Sequence, residues 1–151
     1  MKIEWDEKWS IGEPLIDSQH KELVKLVNAL IFSCDQQSAD IPAALSFLVN
    51  YTLTHFNDEE ALQLEHGFPH YEDHKQKHEE LKAIVSEHVA NYQKFGSTSY
   101  LKNVLDETLA AWLINHIETE DKMIGDFISG NSLGNKKNFH GTNVCFKALK
   151  E

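Results

Sequence analysis

Histidines and carboxylates recur at helical spacing in this chain of 151 residues, which contains nine histidines. His55 and Glu59 are four residues apart, and so are His74 and His78. Residues four apart on an α-helix lie on the same face, about 6 Å apart along the axis. Each pair can therefore direct two ligand atoms at one ion, and the spacing predicts chelating pairs on two different helices.

Two further segments carry residues of the same chemical types. His20 lies just before an apolar stripe, and His116 follows Trp112 and is itself followed by Asp121. A pair of this kind also occurs on solvated helix faces, and a single histidine often caps a helix. The combination of all four segments is harder to explain in this way. Each predicted helix would bury an ionisable group among apolar neighbours, and an unpartnered buried charge is unfavourable. The combination therefore indicates one interior metal site. Imidazole and carboxylate ligands suit iron, manganese or zinc.

The carboxylate that accompanies His116 is ambiguous from spacing alone. Asp121 follows it by five residues, which in a regular helix turns the side chain through about 140°. Glu120, at four residues, is the geometric rival, unless a local π-turn brings Asp121 round. Of the other histidines, His66 and His70 are expected to be exposed at the bundle end. His88 lies too far along the third helix from His78 to share its site, and His140 belongs to the tail.

The apolar periodicity predicts four long helices. The first begins after Asp17 as N-cap and runs to the polar break at 35–38, and the second follows Asp40 and Pro42 and runs to about residue 65. The third begins near Tyr71 and ends near Gly96, and the fourth covers about residues 101–128. Short loops favour an all-α, up-down-up-down antiparallel four-helix bundle over residues 1–128. Residues 1–16 would form an N-terminal arm, and residues 129–151 a C-terminal tail or linker.

Composition narrows the classes of partner and compartment. The net charge of −10 would repel nucleic acid and anionic membranes. Cys34 and Cys145 lack metal-site spacing and are read as reduced thiols. No segment resembles a signal peptide or a membrane span, so we expect a cytoplasmic protein. In the tail, a docking segment at residues 144–146 is an alternative to disorder.

Four segments together carry a resemblance to a known family. They are Ile16-Asp17-Ser18-Gln19-His20-Lys21, His55-Phe56-Asn57-Asp58-Glu59-Glu60, His74 with His78, and Trp112-Leu113-Ile114-Asn115-His116-Ile117 with Asp121. In this order and with these gaps, residues 3–128 resemble the hemerythrin family, in particular its bacterial single-domain and sensor-linked forms. In that family the second bridging carboxylate follows the histidine by five residues, so the resemblance favours Asp121 over Glu120.

The resemblance implies a non-haem di-iron centre with an oxo or hydroxo bridge. His74, His78 and His116 would bind one iron, His20 and His55 would bind the other, and Glu59 and Asp121 would bridge both. Dioxygen would bind reversibly at the two-histidine iron as a hydroperoxide, within an apolar oxygen pocket whose family positions match Phe56, Trp112, Leu113 and Ile117.

The function implied is oxygen carriage, storage or sensing rather than catalysis. The first alternative is a di-iron oxidase or peroxidase. Such enzymes typically use four carboxylates and two histidines with Glu-x-x-His on two helices, a pattern this sequence lacks. The second alternative is an iron- or redox-sensing interaction module, which would act through a separate signalling partner.

Overall fold

The computed structural model describes residues 2–130. Four long helices dominate this part of the chain: α1 (Pro14–Asp35), α2 (Ile41–Glu65), α3 (Tyr71–Phe95) and α4 (98–128). A short 3-10 turn, Glu7–Trp9, lies in the arm that precedes α1. The expectations for the tail, Cys145 and His140 lie outside the described residues.

The helices form the expected antiparallel bundle. Both α1 and α3 contact α2 and α4, and short connections reverse the chain between successive helices. Cross-helix contacts agree with antiparallel packing, since Lys102 near the start of α4 pairs with Asp35 at the end of α1. The predicted fold class is confirmed for the described residues. None of the helices in this region is long and apolar enough to cross a membrane.

The start of α1 differs from the sequence-based prediction. The helix begins at Pro14, with Glu13 as the N-cap residue, and Asp17 therefore lies inside its first turn. The Asp17 carboxylate instead accepts hydrogen bonds from Ser10 Oγ at 2.6 Å and from the backbone N–H of Ile11 at 2.8 Å. Asp17 thus ties the arm to α1 rather than capping the helix.

The apolar core occupies one half of the bundle. It lies towards the loop that joins α1 to α2, where the inward positions of three helices interlock. Its buried members are Leu23, Val27, Leu30, Ile31, Cys34, Ile41, Leu45, Leu48, Leu101, Leu105 and Ala110. Burial of these side chains from water is the main stabilising contribution here. The other half of the bundle, towards the loop at 66–70, buries polar groups together with apolar side chains such as Ile16, Ile117 and Ile124.

The fourth helix is not uniformly α-helical. Its α-helical segments Thr98–Asn103, Ala110–His116 and Lys122–Ile128 alternate with π-helical segments Val104–Leu109 and Ile117–Asp121. A π-turn closes i→i+5 hydrogen bonds, so it inserts one residue per turn and rotates the following side chains relative to a regular helix. The second π segment lies beside the candidate site.

The arm packs closely against the end of α4. A Cβ atom added to Gly125 would lie 2.1 Å from the backbone oxygen of Ile11, so no larger residue fits there without a shift. The buried Trp9 donates its indole N–H to Glu118 Oε1 at 2.8 Å. These contacts hold the arm across the bundle beside the polar half.

Candidate metal centre

The structure brings together all seven side chains singled out from the sequence. Each is buried, with no more than 3% of its surface exposed. One comes from α1, two from α2, two from α3 and two from α4: His20, His55, Glu59, His74, His78, His116 and Asp121. From the sequence alone, His20 could have been an exposed residue that caps the first helix. In the structure its imidazole is fully buried.

Their ligand atoms fall into two groups that could each hold a metal ion. One group contains three histidines with Glu59 and Asp121, and the other contains two histidines with the same two carboxylates. Within a group, the ligand atoms all lie within 4.8 Å of one another. The first group comprises His74, His78 and His116, and the second comprises His20 and His55.

Each shared carboxylate turns one oxygen towards each group. Glu59 Oε2 lies 3.0 Å from His74 Nε2 and 3.1 Å from His78 Nε2, whereas Oε1 lies 3.8 Å from His20 Nε2 and 3.9 Å from His55 Nε2. Asp121 Oδ1 lies 3.0 Å from His116 Nε2, and Oδ2 lies 3.0 Å from His20 Nε2. This is the arrangement by which a carboxylate can bridge two ions.

The three-histidine group fits a cation better than a hydrogen-bond network. The Nε2 atoms of His74, His78 and His116 form a triangle with sides of 3.0, 3.1 and 3.2 Å. A neutral imidazole has one N–H, so three converging nitrogens cannot all be satisfied by one another. Nitrogens about 2.1 Å from a common ion in cis positions would be separated by about 3.0 Å. The donor set therefore fits a metal ion.

The π-helical segment decides which carboxylate enters the site. Asp121 closes the π-turn Ile117–Asp121 and is fully buried. Glu120 points to the outside, where its carboxylate lies 3.4 Å from Lys77 Nζ. The extra residue in the turn places the side chain five positions after His116 on the inner face. The π-turn that could bring Asp121 round is therefore present.

The buried charges are strongly coupled. Burial and the nearby Asp121 raise the pKa of Glu59, but hydrogen bonds from His74 and His78 outweigh them and lower it to about 2. Burial opposes a charge on His74, yet Asp121 and Glu59 together raise its pKa to about 10. Burial lowers the pKa of His55 to about 4. Burial raises the pKa of Asp121 too, but the nearby histidines, His116 first, hold it well below its usual range, so the cluster favours charged carboxylates and a proton on an imidazole.

Two of the histidines are oriented by neighbours that sequence reasoning did not identify. His55 Nδ1 lies 2.9 Å from Gln19 Oε1, and Gln19 Nε2 donates to Asp58 at 2.7 Å. His78 Nδ1 lies 2.9 Å from Glu60 Oε1. With Nδ1 engaged in this way, Nε2 is free to face the site. Gln19 and Glu60 are adjacent in sequence to site residues, and both lie within the segments that carry the family resemblance.

Aromatic rings cover one side of the site. Phe56 stacks on His78 with ring centroids 3.8 Å apart, and Trp112 stacks on His116 at 4.3 Å. Beyond them lies an apolar cavity of about 440 Å³ among the four helices, lined by Phe56, Trp112 and Leu113 among others. Ile117 is fully buried but does not line this cavity. Three of the four positions expected in an oxygen pocket thus adjoin one cavity.

The remaining described histidines lie elsewhere. His66 is exposed and His70 is partly exposed beside the loop at the bundle end. His88 Nδ1 lies 2.6 Å from the hydroxyl of Tyr100, well along α3 from the site. The separation of these three from the cluster agrees with the expectation from their spacing.

The fold and the shared-carboxylate geometry can be compared with known proteins. A family model described as "Hemerythrin HHE cation binding domain" matches residues 12–128. The chain belongs to the hemerythrin family. The resemblance inferred from the sequence is thereby confirmed, and the cluster described above lies within the matched region of this hemerythrin-family chain.

Individual relatives also place the chain in the hemerythrin family. The chain is 32% identical over 124 residues to the bacteriohemerythrin of Stenotrophomonas maltophilia (strain R551-3), covering 81% of this chain and 78% of the relative. It is 34% identical over 119 residues to that of Pseudomonas paraeruginosa, covering 78% and 75%. Myohemerythrin-1 of Phascolopsis gouldii is 32% identical over 119 residues, covering 78% and 87%. The similarity thus extends to both bacterial and myohemerythrin members.

Proposed function

We propose that this hemerythrin-family chain reversibly binds dioxygen at a pair of non-haem irons, in the role of a carrier, store or sensor. The proposed ligands of one iron are His74, His78 and His116, and those of the other are His20 and His55. Glu59 and Asp121 are the proposed bridges. When bound, the two ferrous ions would supply the two electrons needed to reduce dioxygen reversibly.

The division of the carboxylate oxygens carries this proposal. Both Glu59 and Asp121 contribute to two ligand groups that contain unequal numbers of histidines. Two ions of the same metal would therefore have different numbers of protein ligands. The ion in the two-histidine group would have one ligand fewer, which leaves a coordination position open there. Binding of a small molecule there needs no loss of a protein ligand.

The apolar cover supports dioxygen as that molecule. Phe56 is 2% exposed, stacks on His78 of the three-histidine group and lies 5.8 Å from His55 of the two-histidine group between ring centroids, so water has little access to the site from that side. The cavity of about 440 Å³ next to it is lined mainly by apolar side chains. Dioxygen is uncharged and apolar, whereas water and anions enter such surroundings at a cost. We propose that Phe56, Trp112, Leu113 and Ile117 retain bound oxygen by this exclusion.

The donor set favours binding over oxidative turnover. Among the buried side chains of residues 2–130, the carboxylates are Glu59 and Asp121 alone. Carboxylate-rich di-iron bundles instead direct four carboxylates inward with two histidines. A site with two anionic ligands stabilises the high oxidation states of iron less than a site with four. We therefore propose a binding protein rather than an oxidase or peroxidase. The compartment we propose for it is the cytoplasm.

Anaerobic oxygen titration tests the proposal. The reduced protein should contain about two irons per chain and be colourless, and oxygen should produce a charge-transfer spectrum that disappears when oxygen is removed. Glu59→Ala should lose most of one iron, because both groups lose a ligand, whereas Glu65→Ala on the exposed end of α2 should retain both. Irreversible bleaching with consumption of peroxide would instead support an enzyme.

A further inference from the structure

Nine polar or charged side chains are buried within residues 2–130, and seven of them are the proposed metal ligands. The other two are Gln19 and Gln63. Gln19 contacts His55 and Asp58, so it belongs to the surroundings of the site. Gln63 is fully buried, yet neither its amide oxygen nor its amide nitrogen has a hydrogen-bond partner among the described residues. An unsatisfied buried amide is unfavourable and calls for a partner.

The position of Gln63 on α2 directs it towards the site. It follows Glu59 by four residues and His55 by eight, so all three lie on one stripe of the helix. Its apolar neighbour Leu62 is partly exposed, whereas Gln63 is buried. A fully buried polar side chain therefore extends the line of site residues by one turn.

One proposed ligand on the neighbouring helix also lacks a partner. His74 faces Glu59 through Nε2 at 3.0 Å, while its Nδ1 is buried and has no hydrogen-bond partner in the described part of the chain. Because α2 and α3 are antiparallel and joined at residues 66–70, Gln63 and His74 both lie on the loop side of Glu59. Gln63 and His74 thus both carry unsatisfied polar atoms on this side of the site. Among the described residues, the Nδ1 of His20 on α1 is likewise buried without a partner.

The corresponding nitrogens of two other proposed ligands are satisfied. His55 Nδ1 contacts Gln19, and His78 Nδ1 contacts Glu60, each at 2.9 Å. A metal-bound histidine usually donates its second ring N–H to an oxygen, which holds the ring in one tautomer and orientation. His74 requires an acceptor of the same kind.

We propose that Gln63 is a positioning residue for His74, acting through one internal water molecule. The water oxygen accepts the Nδ1–H of His74, and a water O–H donates to Gln63 Oε1. Buried waters ordinarily make about three such bonds with polar groups that are otherwise unsatisfied. Gln63 thereby orients His74 Nε2 towards the three-histidine iron. This role rests on the proposed di-iron function.

Replacement of Gln63 by methionine tests the role, because methionine has similar length and no hydrogen-bonding amide. The control is Gln76→Met, at an exposed position on α3. Iron release to a chelator should be about tenfold faster in Gln63→Met than in the wild type, the effect typical of losing such an outer partner. The urea unfolding midpoint of the metal-free variant should lie close to that of the wild type, because methionine fills nearly the same volume as glutamine. Gln63→Asn, which keeps an amide, should release iron more slowly than Gln63→Met.

Proton NMR of the diferrous protein adds a readout that packing alone would not move. Ring N–H protons of metal-bound histidines give shifted, solvent-exchangeable signals, and Gln63→Met should displace one of them while the control displaces none. The same measurements on Gln63→Leu keep the comparison decisive if the methionine variant fails to fold. Unchanged iron release and unchanged N–H signals would overturn the role of Gln63. A wild-type chain that retains no iron would instead refute the proposed function.

Discussion

The ring of Phe56 lies flat on the imidazole of His78, with centroids 3.8 Å apart and planes within 9° of parallel. Phe56 also adjoins the apolar cavity, so one ring contacts both a proposed ligand and the space beside the centre. Phe56→Leu should leave a gap at this contact and admit water. Loss of the oxygenated spectrum should become about tenfold faster, which corresponds to about 1.4 kcal/mol in the barrier.

The matched control for this change is Phe47→Leu on the same helix. Phe47 is 55% exposed, so its replacement should leave the spectrum and its lifetime unchanged. Absorbance followed over time in air checks both variants, with iron content measured in parallel. An oxygenated form of Phe56→Leu that lasts as long as that of the wild type, at full iron content, would contradict the shielding role.

Asp121 and Glu120 should respond differently to loss of charge. Asp121→Asn removes a negative charge that contacts both ligand groups, so the purified protein should lose up to about one iron per chain, as expected for Glu59→Ala. Glu120→Gln affects a residue paired with Lys77 at the surface, and it should retain two. Metal analysis of both variants measures the difference. Equal iron in the two would be incompatible with the bridging role proposed for Asp121.

The metal-free protein should lose stability in alkaline solution. The pKa of His74 is raised from 6.5 to about 10 in the folded chain, because Asp121 and Glu59 outweigh the effect of burial. A raised pKa means that the folded state binds the proton more tightly, so the stabilisation is fully present below about pH 6.5 and is lost as the pH rises through about 10.

Urea unfolding of the metal-free protein between pH 7 and 10 measures this effect. His74→Ala should have a flatter profile over the same interval, which separates the contribution of His74 from that of surface groups. Iron loading should also release protons, because the metal replaces the proton on the imidazole. A wild-type profile no steeper than that of His74→Ala would contradict the assignment.

Gly125→Ala should destabilise the arm against α4. An added Cβ would lie 2.1 Å from the Ile11 backbone oxygen, so either the arm or the helix must move. Overpacking of this kind costs about 1–3 kcal/mol, more than the roughly 1 kcal/mol that alanine gains over glycine within a helix. Urea unfolding should give a lower midpoint, whereas Asp126→Ala at the adjacent, partly exposed position should have little effect. A midpoint that rises for Gly125→Ala would show that the arm is not held there.

Much of the candidate site could be predicted from spacing. His55 with Glu59, and His74 with His78, recur at four residues within inward stripes, and that periodicity is a local property of an α-helix. Four amphipathic segments with short connections likewise limit the topology to an antiparallel bundle. The inclusion of Asp121 required the family resemblance, because regular helical spacing favoured Glu120 and the sequence did not reveal the π-turn that reverses this preference.

Tertiary structure decided what depends on how each helix is rotated and what approaches it. Sequence periodicity could not decide which of Leu62 and Gln63 is buried at the end of the α2 stripe, because the two residues border that stripe on opposite sides and the rotation of the helix decides which side is covered. The partners of His55 and His78 lie 36 and 18 residues away, and Ile11 approaches Gly125 from the far end of the chain. Helical repeat within a segment determined the candidate ligands, whereas packing between segments determined which oxygen faces which nitrogen.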